Sequence, residues 1–190
     1  MPLLSILLFA LSANLDNLVI SMSYGVKSIR IGPAENLIIS AVTFGMTIIA
    51  MLSGRALLLI IPGTAAGYLG AGIIGAIGIY YTIKAFIHLH HPAPDDSVKY
   101  DRDHSGSIDK KEAAVLGFAL SVNNTGLGVA FSMTGISVLG TAAVTFLVSA
   151  AFLFLGNWVG KRCLSAVLGK YAELCSGGIL LLLAAWEMVG

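Results

Sequence analysis

An all-α integral membrane protein of six transmembrane helices, built as two inverted three-helix repeats, is the fold class that the sequence predicts. Three observations predict it. First, 57% of the 190 residues are hydrophobic and only 11% are charged, with a mean hydropathy of +0.89, whereas a soluble domain carries about 25% charged residues. Second, six apolar segments follow one another, each near the ~20 residues that a helical span needs. Third, the second half of the chain repeats small and polar positions of the first. The charges are grouped in short inter-helix segments and sum to +1, which gives no reason to expect nucleic acid as a partner. A lipid bilayer is the expected surrounding.

The segments run over 3–24, 35–54, 64–88, 112–135, 138–160 and 171–189. Open strands would leave backbone groups unpaired in hydrocarbon, so all six are expected as helices. The first begins MPLLSILLFALSA, which could pass for a secretory signal. It has no basic n-region and its apolar run continues past Ala13, so it reads as the first span. Gly25, Gly32-Pro33 and Pro62-Gly63 separate the first three spans, and Pro92 to Pro94 end the third. Gly63, Gly67, Gly70, Gly72, Gly75 and Gly78 stripe that third span, as expected where helix backbones approach closely. No Gly-rich turn is followed by a Lys-Ser/Thr pair, so none is a phosphate loop. Glu35 and Glu173 stand at helix starts, where a negative charge complements the dipole. Trp186 and Glu187 close the sixth span near a membrane boundary. The organisation is a first triplet over 1–91, a loop over 92–111 and a second triplet over 112–190.

Ten of the eleven basic residues fall in connections on one side, Lys27 and Arg30 after the first span, Lys110 and Lys111 before the fourth, and Lys161, Arg162 and Lys170 after the fifth among them. Only Arg55 falls on the other. By the positive-inside rule the basic side is cytoplasmic and both termini lie outside the cell membrane. Cys163 and Cys175 then face the reducing compartment, where a disulfide is not expected.

Residues 9–12 and 118–121 both read FALS, and placing Leu15-Asp16-Asn17 over Val122-Asn123-Asn124 gives an offset of 107. At an offset of 106, Gly54, Gly63, Ala66 and Gly72 fall on Gly160, Gly169, Ala172 and Gly178. Three spans per half insert with opposite orientation, as in secondary transporters whose site lies near the midplane between inverted repeats.

Asp16 is the candidate centre of that site. A carboxylate at mid-span is costly in lipid and marks an ion pathway or binding site by default. Asn17, Asn123 and Asn124, with Ser12 and Ser121 a helical turn away, would give one carboxylate with amide and hydroxyl oxygens. Such a set suits hard divalent ions. The plainer alternative is an interhelical hydrogen-bond clamp between Asp16 and an asparagine.

The LDN and VNN segments, each after an Ala-Leu-Ser, resemble the two signature segments of the manganese efflux pump family (MntP-like), closest to its branch around the sporulation membrane protein YtaF. The stretch GKRCLSAVLGKYAELCSGGILLLL from Gly160 is similar to that family's last helix pair. The resemblance implies six helices in two inverted triplets and export of Mn²⁺ through an aspartate in each signature segment. The first aspartate carries over to Asp16. The second position holds Asn123, and the region of the second helix where the family implies a glutamate, around Thr47 and Ile48, is uncharged.

A second constellation lies in the third connection. DRDHSGSIDKKE places Asp101, Asp103, Ser105, Ser107, Asp109 and Glu112 at ligand positions of a twelve-residue calcium loop, with Gly106 at its sharp turn. Possible Ca²⁺ binding there is set against a solvated linker whose Asp109 and Glu112 form a helix-capping box. His88, His90, His91 and His104 lie within or beside the same connection, as a transition-ion capture site or a snorkelling helix end. No Ser/His/Asp, Cys/His or paired-carboxylate arrangement indicates an enzyme. The expected function is export of a divalent cation by alternating access. The alternatives are a non-transporting scaffold or Ca²⁺-responsive signalling protein on the same fold, and an exporter of small organic cations.

Overall fold

The computed structural model describes residues 2–59, 63–90, 101, 105–161 and 165–189; within its helices, the side chains of residues 2, 63, 64, 88–90, 123, 165–173 and 189 lie outside the described set. The described residues form helices α1 (Pro2–Val26), α2 (Pro33–Leu57), α3 (Gly63–His90), α4 (Lys110–Ser132), α5 (Val138–Gly160) and α6 (Ser165–Val189). Four of them contain spans long and apolar enough to cross a bilayer: Leu3–Val26, Pro33–Leu57, Ala65–Ile87 and Val138–Gly160. Helix α4 adds a fifth if its parts Lys110–Val122 and Asn124–Ser132, inclined at 52°, count as one. The described apolar part of α6, Leu174–Met188, is shorter.

Local chemistry sets the helix ends. Pro33 opens α2 at the position where a missing N–H does no harm, with Glu35 in the first turn. Ser137 caps α5 by accepting from the Gly140 N–H at 3.2 Å. Helix α4 stops at Ser132, short of the expected 135, because Gly135 takes φ +83, which ends a helix. Its start is a capping box: Asp109 accepts from the Glu112 N–H at 2.7 Å, and Glu112 accepts from the Asp109 N–H at 3.1 Å. Asp109→Ala is expected to lower stability by about 1 kcal/mol, read as a reduced thermal midpoint in detergent, while Lys111→Ala, one turn position away and uninvolved in the cap, leaves the midpoint unchanged.

Helix α1 packs chiefly on α5, α2 on α4 and α3 on α6, with lesser contacts of α1 on α6, α2 on α5 and α3 on α4. Large apolar residues on the outer faces, such as Leu37, Ile49, Leu147, Phe154 and Leu182, are exposed, a lipid-facing pattern. Lipid is as apolar as these side chains, so helix association rests on close packing and interhelical hydrogen bonds. Small residues provide the approach. Gly54 of α2 lies against Val129 and Ser132 of α4, and Gly160 of α5 lies against Met22 and Gly25 of α1.

Two apolar clusters sit at opposite ends of the bundle. One holds Phe9, Met51, Leu127, Phe131, Ile136 and Leu180, with Phe9 and Phe131 stacked at 4.4 Å. The other holds Tyr24, Ile29, Ile39, Ile108, Leu116 and Leu153. There the α1–α2 connection meets the segment before α4. Arg30 N–H donates to the Gly106 carbonyl and Ile108 N–H to the Arg30 carbonyl, each at 3.0 Å. Lys27, Arg30, Lys110, Lys111 and Lys161 lie at this end in the connections or at helix termini, and Arg55 at the far end of α2 donates to the Ile136 carbonyl at 3.0 Å.

Candidate ion site between the helices

Between the two clusters runs a band of polar side chains. It exists because each of four apolar helices places hydroxyls or amides on its inward face. From α1 come Ser12, Asn14, Asn17 and Ser21; from α2, Ser40 and Thr43; from α4, Ser121; from α5, Thr141, Thr145 and Ser149; all are buried.

Asp16, near the middle of α1, is half-buried, and its Oδ1 accepts from the Asn17 backbone N–H at 2.8 Å. Asn17 turns toward α5: its Nδ2 donates to Ser149 Oγ and to Asn14 Oδ1, each at 2.9 Å. Asn14 in turn donates to the Ala10 carbonyl at 2.7 Å. Asn124 reaches α1 from α4, its Nδ2 donating to the Ala13 carbonyl, one turn from Asp16. Ser121, one turn before Asn124 in α4, lies near Thr43 Oγ1 of α2 at 3.4 Å. Ser12 faces away from both. It is held by Ser176 of α6 through reciprocal bonds of 3.1 and 3.2 Å. Thus Asn124 reaches α1 at Ala13, Asn17 joins the α5 side, and Ser12 serves the α1–α6 contact. The Asn123 side chain lies outside the described set.

Residues that the sequence reading passed over complete the band. A cavity of about 10 Å³, room for about one water molecule, lies where α1, α2, α4 and α5 meet. Thr43, Thr47, Ser121, Asn124, Thr125 and Thr145 line it, together with apolar Phe9, Ala13, Met46 and Ala50. Thr145 Oγ1 and Asn17 Oδ1 are buried and have no hydrogen-bond partner among the described residues. One signal was available for these positions: the offset of 106 places Thr43 over Ser149, so hydroxyls recur at matching places in α2 and α5.

In the third connection, Asp101 is buried and its Oδ1 accepts from the Ser105 N–H at 3.1 Å. Gly106 takes φ +74, and Ser105 Oγ donates to the Ser107 carbonyl at 2.8 Å. Asp109 and Glu112 are engaged in the capping box. Among the described residues no group of three or more His, Cys, Asp or Glu side chains converges as for a metal. Asp103, His104, His91 and Cys163 lie outside those residues, as do the side chains of His88 and His90; Cys175 is a free, exposed thiol.

An all-helical, multi-pass membrane protein with a polar band between its helices is the class that these features define. The chain belongs to the family described as "Putative manganese efflux pump", which matches residues 66–188. Among relatives, the "Probable sporulation protein YtaF" of Bacillus subtilis is 27% identical over 182 residues, covering 82% of this chain and 85% of that one. A "Putative manganese efflux pump MntP 2" of Clostridium botulinum is 23% identical, covering 96% and 92%. A "Putative manganese efflux pump MntP" of Methanocorpusculum labreanum is 26% identical, covering 95% and 92%. No solved structure matches.

Proposed function

We propose that this protein exports a hard divalent cation, Mn²⁺ in the first place, across the cell membrane by alternating access, with both termini outside. The observation that carries this is Asp16, a carboxylate in the middle of a 25-residue apolar helix, beside an asparagine of α4 that reaches across to the same turn of α1. In lipid such an acid faces the bundle and serves an ion. Asp16 supplies the charge; Asn17, Asn123 and Asn124 supply neutral oxygens, and Ser121, one turn before Asn124, adds a hydroxyl, whereas Ser12 is held by Ser176 of α6. Membership in the efflux-pump family points the same way.

Support for two inverted triplets comes from contacts that recur after the halves are exchanged. Shifting α1 by 107 and α2 by 106 turns the contact of Gly160 with Met22 and Gly25 into that of Gly54 with Val129 and Ser132. The same shifts turn Gly156 against Ser21 into Ala50 against Gly128, and Gly75 against Ala184 into Leu181 against Gly78. The equivalence breaks at the polar band. Asn17 is bonded to Ser149 and Asn14, whereas the matching Asn124, Thr43 and Ser121 line the cavity. A difference of this kind between equivalent halves is what an alternating-access pump needs, the two arrangements exchanging as the triplets rock.

The twelve-residue segment from Asp101 to Glu112 is read as a weak Ca²⁺ loop that biases this rocking. Gly106 has the positive φ that such a loop needs at its sharp turn, and the segment is tied to Arg30 at the end of α1 and to the start of α4. Asp101→Ala with Glu112→Ala is expected to abolish Ca²⁺ binding by calorimetry and to change Mn²⁺ flux; no change in either refutes the regulatory role.

The test of export is Mn²⁺ flux into vesicles carrying the purified protein, followed with an internal fluorescent reporter. Saturable flux that Mg²⁺ or Ca²⁺ in excess competes with only in part supports the proposal. No flux above protein-free vesicles identifies a scaffold, and organic-cation flux indifferent to Mn²⁺ identifies a different exporter.

A further inference from the structure

We propose that the cavity where α1, α2, α4 and α5 meet is a second cation site, taking a small monovalent ion of sodium's class; it shares Asn124 and Ser121 with the export site and does not include Asp16. Its lining is built for a positive charge. Thr43, Thr47, Ser121 and Thr125 each direct a hydroxyl proton to a backbone carbonyl of their own helix, to Ile39, Thr43, Gly117 and Ser121 at 3.0, 2.8, 2.6 and 3.0 Å. A hydroxyl has one proton, so what these four have left to offer is lone pairs. Asn124 uses one Nδ2 proton on the Ala13 carbonyl and keeps its Oδ1 as an acceptor and a second N–H as a donor. Thr145, 2% exposed, adds a hydroxyl with no partner among the described residues.

The particle that fits is about the size of one water. Water has two protons to give, and five hydroxyl residues and one amide surround the space. A cation satisfies all of these oxygens together. The charge of the ion follows from the lining, in which no carboxylate, histidine or thiolate stands among the described residues. Divalent ions are ordinarily held by sites that include carboxylates, and burying two charges against neutral oxygens alone carries a heavy desolvation penalty. An anion would meet only the Thr145 hydroxyl and the second Asn124 N–H as donors, against the lone pairs of the four other hydroxyls. The lining comes from α1 and from both members of the α2·α4 pair and from α5, so a bound ion ties together helices that must move apart in alternation.

The experiment is thermal unfolding of the full chain in detergent, titrated with NaCl against choline chloride at constant ionic strength. For the parent protein NaCl is expected to raise the midpoint by about 2–4 °C, with choline giving no rise. Thr145→Val, close in shape but without the hydroxyl, is expected to shift the half-saturating NaCl concentration upward about tenfold. Thr43→Val is the second variant, should the first fail to fold. Ser53→Ala, which removes an exposed α2 hydroxyl outside the cavity, keeps the parent's response. Asp16→Asn also keeps the Na⁺ response while losing any stabilisation by MnCl₂, which separates this site from the export site. Equal effects of NaCl and choline, an unchanged Na⁺ response in both valine variants, or an MnCl₂ response that Thr145→Val removes and Asp16→Asn does not, each overturns the proposal.

Discussion

Asp16→Asn is expected to abolish Mn²⁺ flux while leaving the bundle folded. The substitution is nearly isosteric and removes one charge from the middle of α1. At an effective dielectric constant of about 20, a unit charge pair at 4 Å is worth roughly 4 kcal/mol. A loss of that order is about a thousandfold in affinity, and a dication feels the missing charge twice over. The amides that remain, on Asn17 and Asn124, are neutral and partly occupied: Asn17 donates to Ser149 and Asn14, and Asn124 to the Ala13 carbonyl. They cannot replace the field. Asp16→Glu restores the charge on a longer arm and should recover part of the flux. Glycine packing and interhelical bonds such as Ser12–Ser176 and Asn17–Ser149 do not run through the carboxylate, so Asp16→Asn is expected to keep a cooperative thermal transition in detergent. Full flux in Asp16→Asn, measured with the vesicle reporter at several Mn²⁺ concentrations, sinks the export site as drawn.

Composition and segment length were enough to reveal the helices, because hydrocarbon admits few backbone arrangements. The segment limits came within three residues except at the sixth, where α6 starts at Ser165 and the expected start was 171; two of the smaller misses have local causes. Pro33 is a favourable first residue and so α2 starts two residues before the expected 35; Gly135 ends α4 early. The middle of the site was legible only where polarity was conspicuous. Asp16 and the asparagines stand out in apolar runs, whereas Thr43, Thr125 and Thr145 do not. A threonine can bond its own helix one turn back, as Thr43 does to Ile39, and is therefore cheap anywhere along a span. Whether it also faces a shared cavity depends on which helices are neighbours. The pairing of α1 with α5 and of α2 with α4 is written in glycine positions that look, in the linear sequence, like any small-residue stripe. Ser12 illustrates the converse. It lies one turn from Asp16, yet the packing of α1 on α6 commits its hydroxyl to Ser176.

Gly160→Ala and Gly54→Ala are expected to destabilise the protein by similar amounts, because they interrupt equivalent contacts. A Cβ built on Gly160 falls onto the Met22 carbonyl and lies 3.0 Å from the Gly25 Cα; one built on Gly54 falls onto the Val129 carbonyl and the Ser132 hydroxyl. Backbone atoms cannot turn aside as a side chain can, so each substitution must push a helix pair apart. Overpacking of this kind costs about 1–3 kcal/mol, and here more, since the displaced element is an entire helix end. Gly45 and Gly67 provide the contrast. A Cβ on either meets nothing within 4 Å, and replacing a helical glycine with alanine in open space gains about 0.5–1 kcal/mol. Thermal midpoints in detergent should therefore fall for the first pair and hold or rise for the second. The flux consequences differ as well. Gly25 and Gly160 lie at the end of α1·α5 next to the basic connections, whereas Gly54 and Ser132 lie at the opposite end of α2·α4. Opening one pair weakens the seal on one face of the bundle and opening the other weakens the opposite face. Cysteine accessibility on reconstituted protein reads this directly. With Cys175 and Cys163 replaced by serine and a single reporter cysteine at Asn124, Gly160→Ala and Gly54→Ala are expected to raise labelling from opposite sides of the membrane. Labelling that increases from the same side in both variants removes the two-fold relation between the halves.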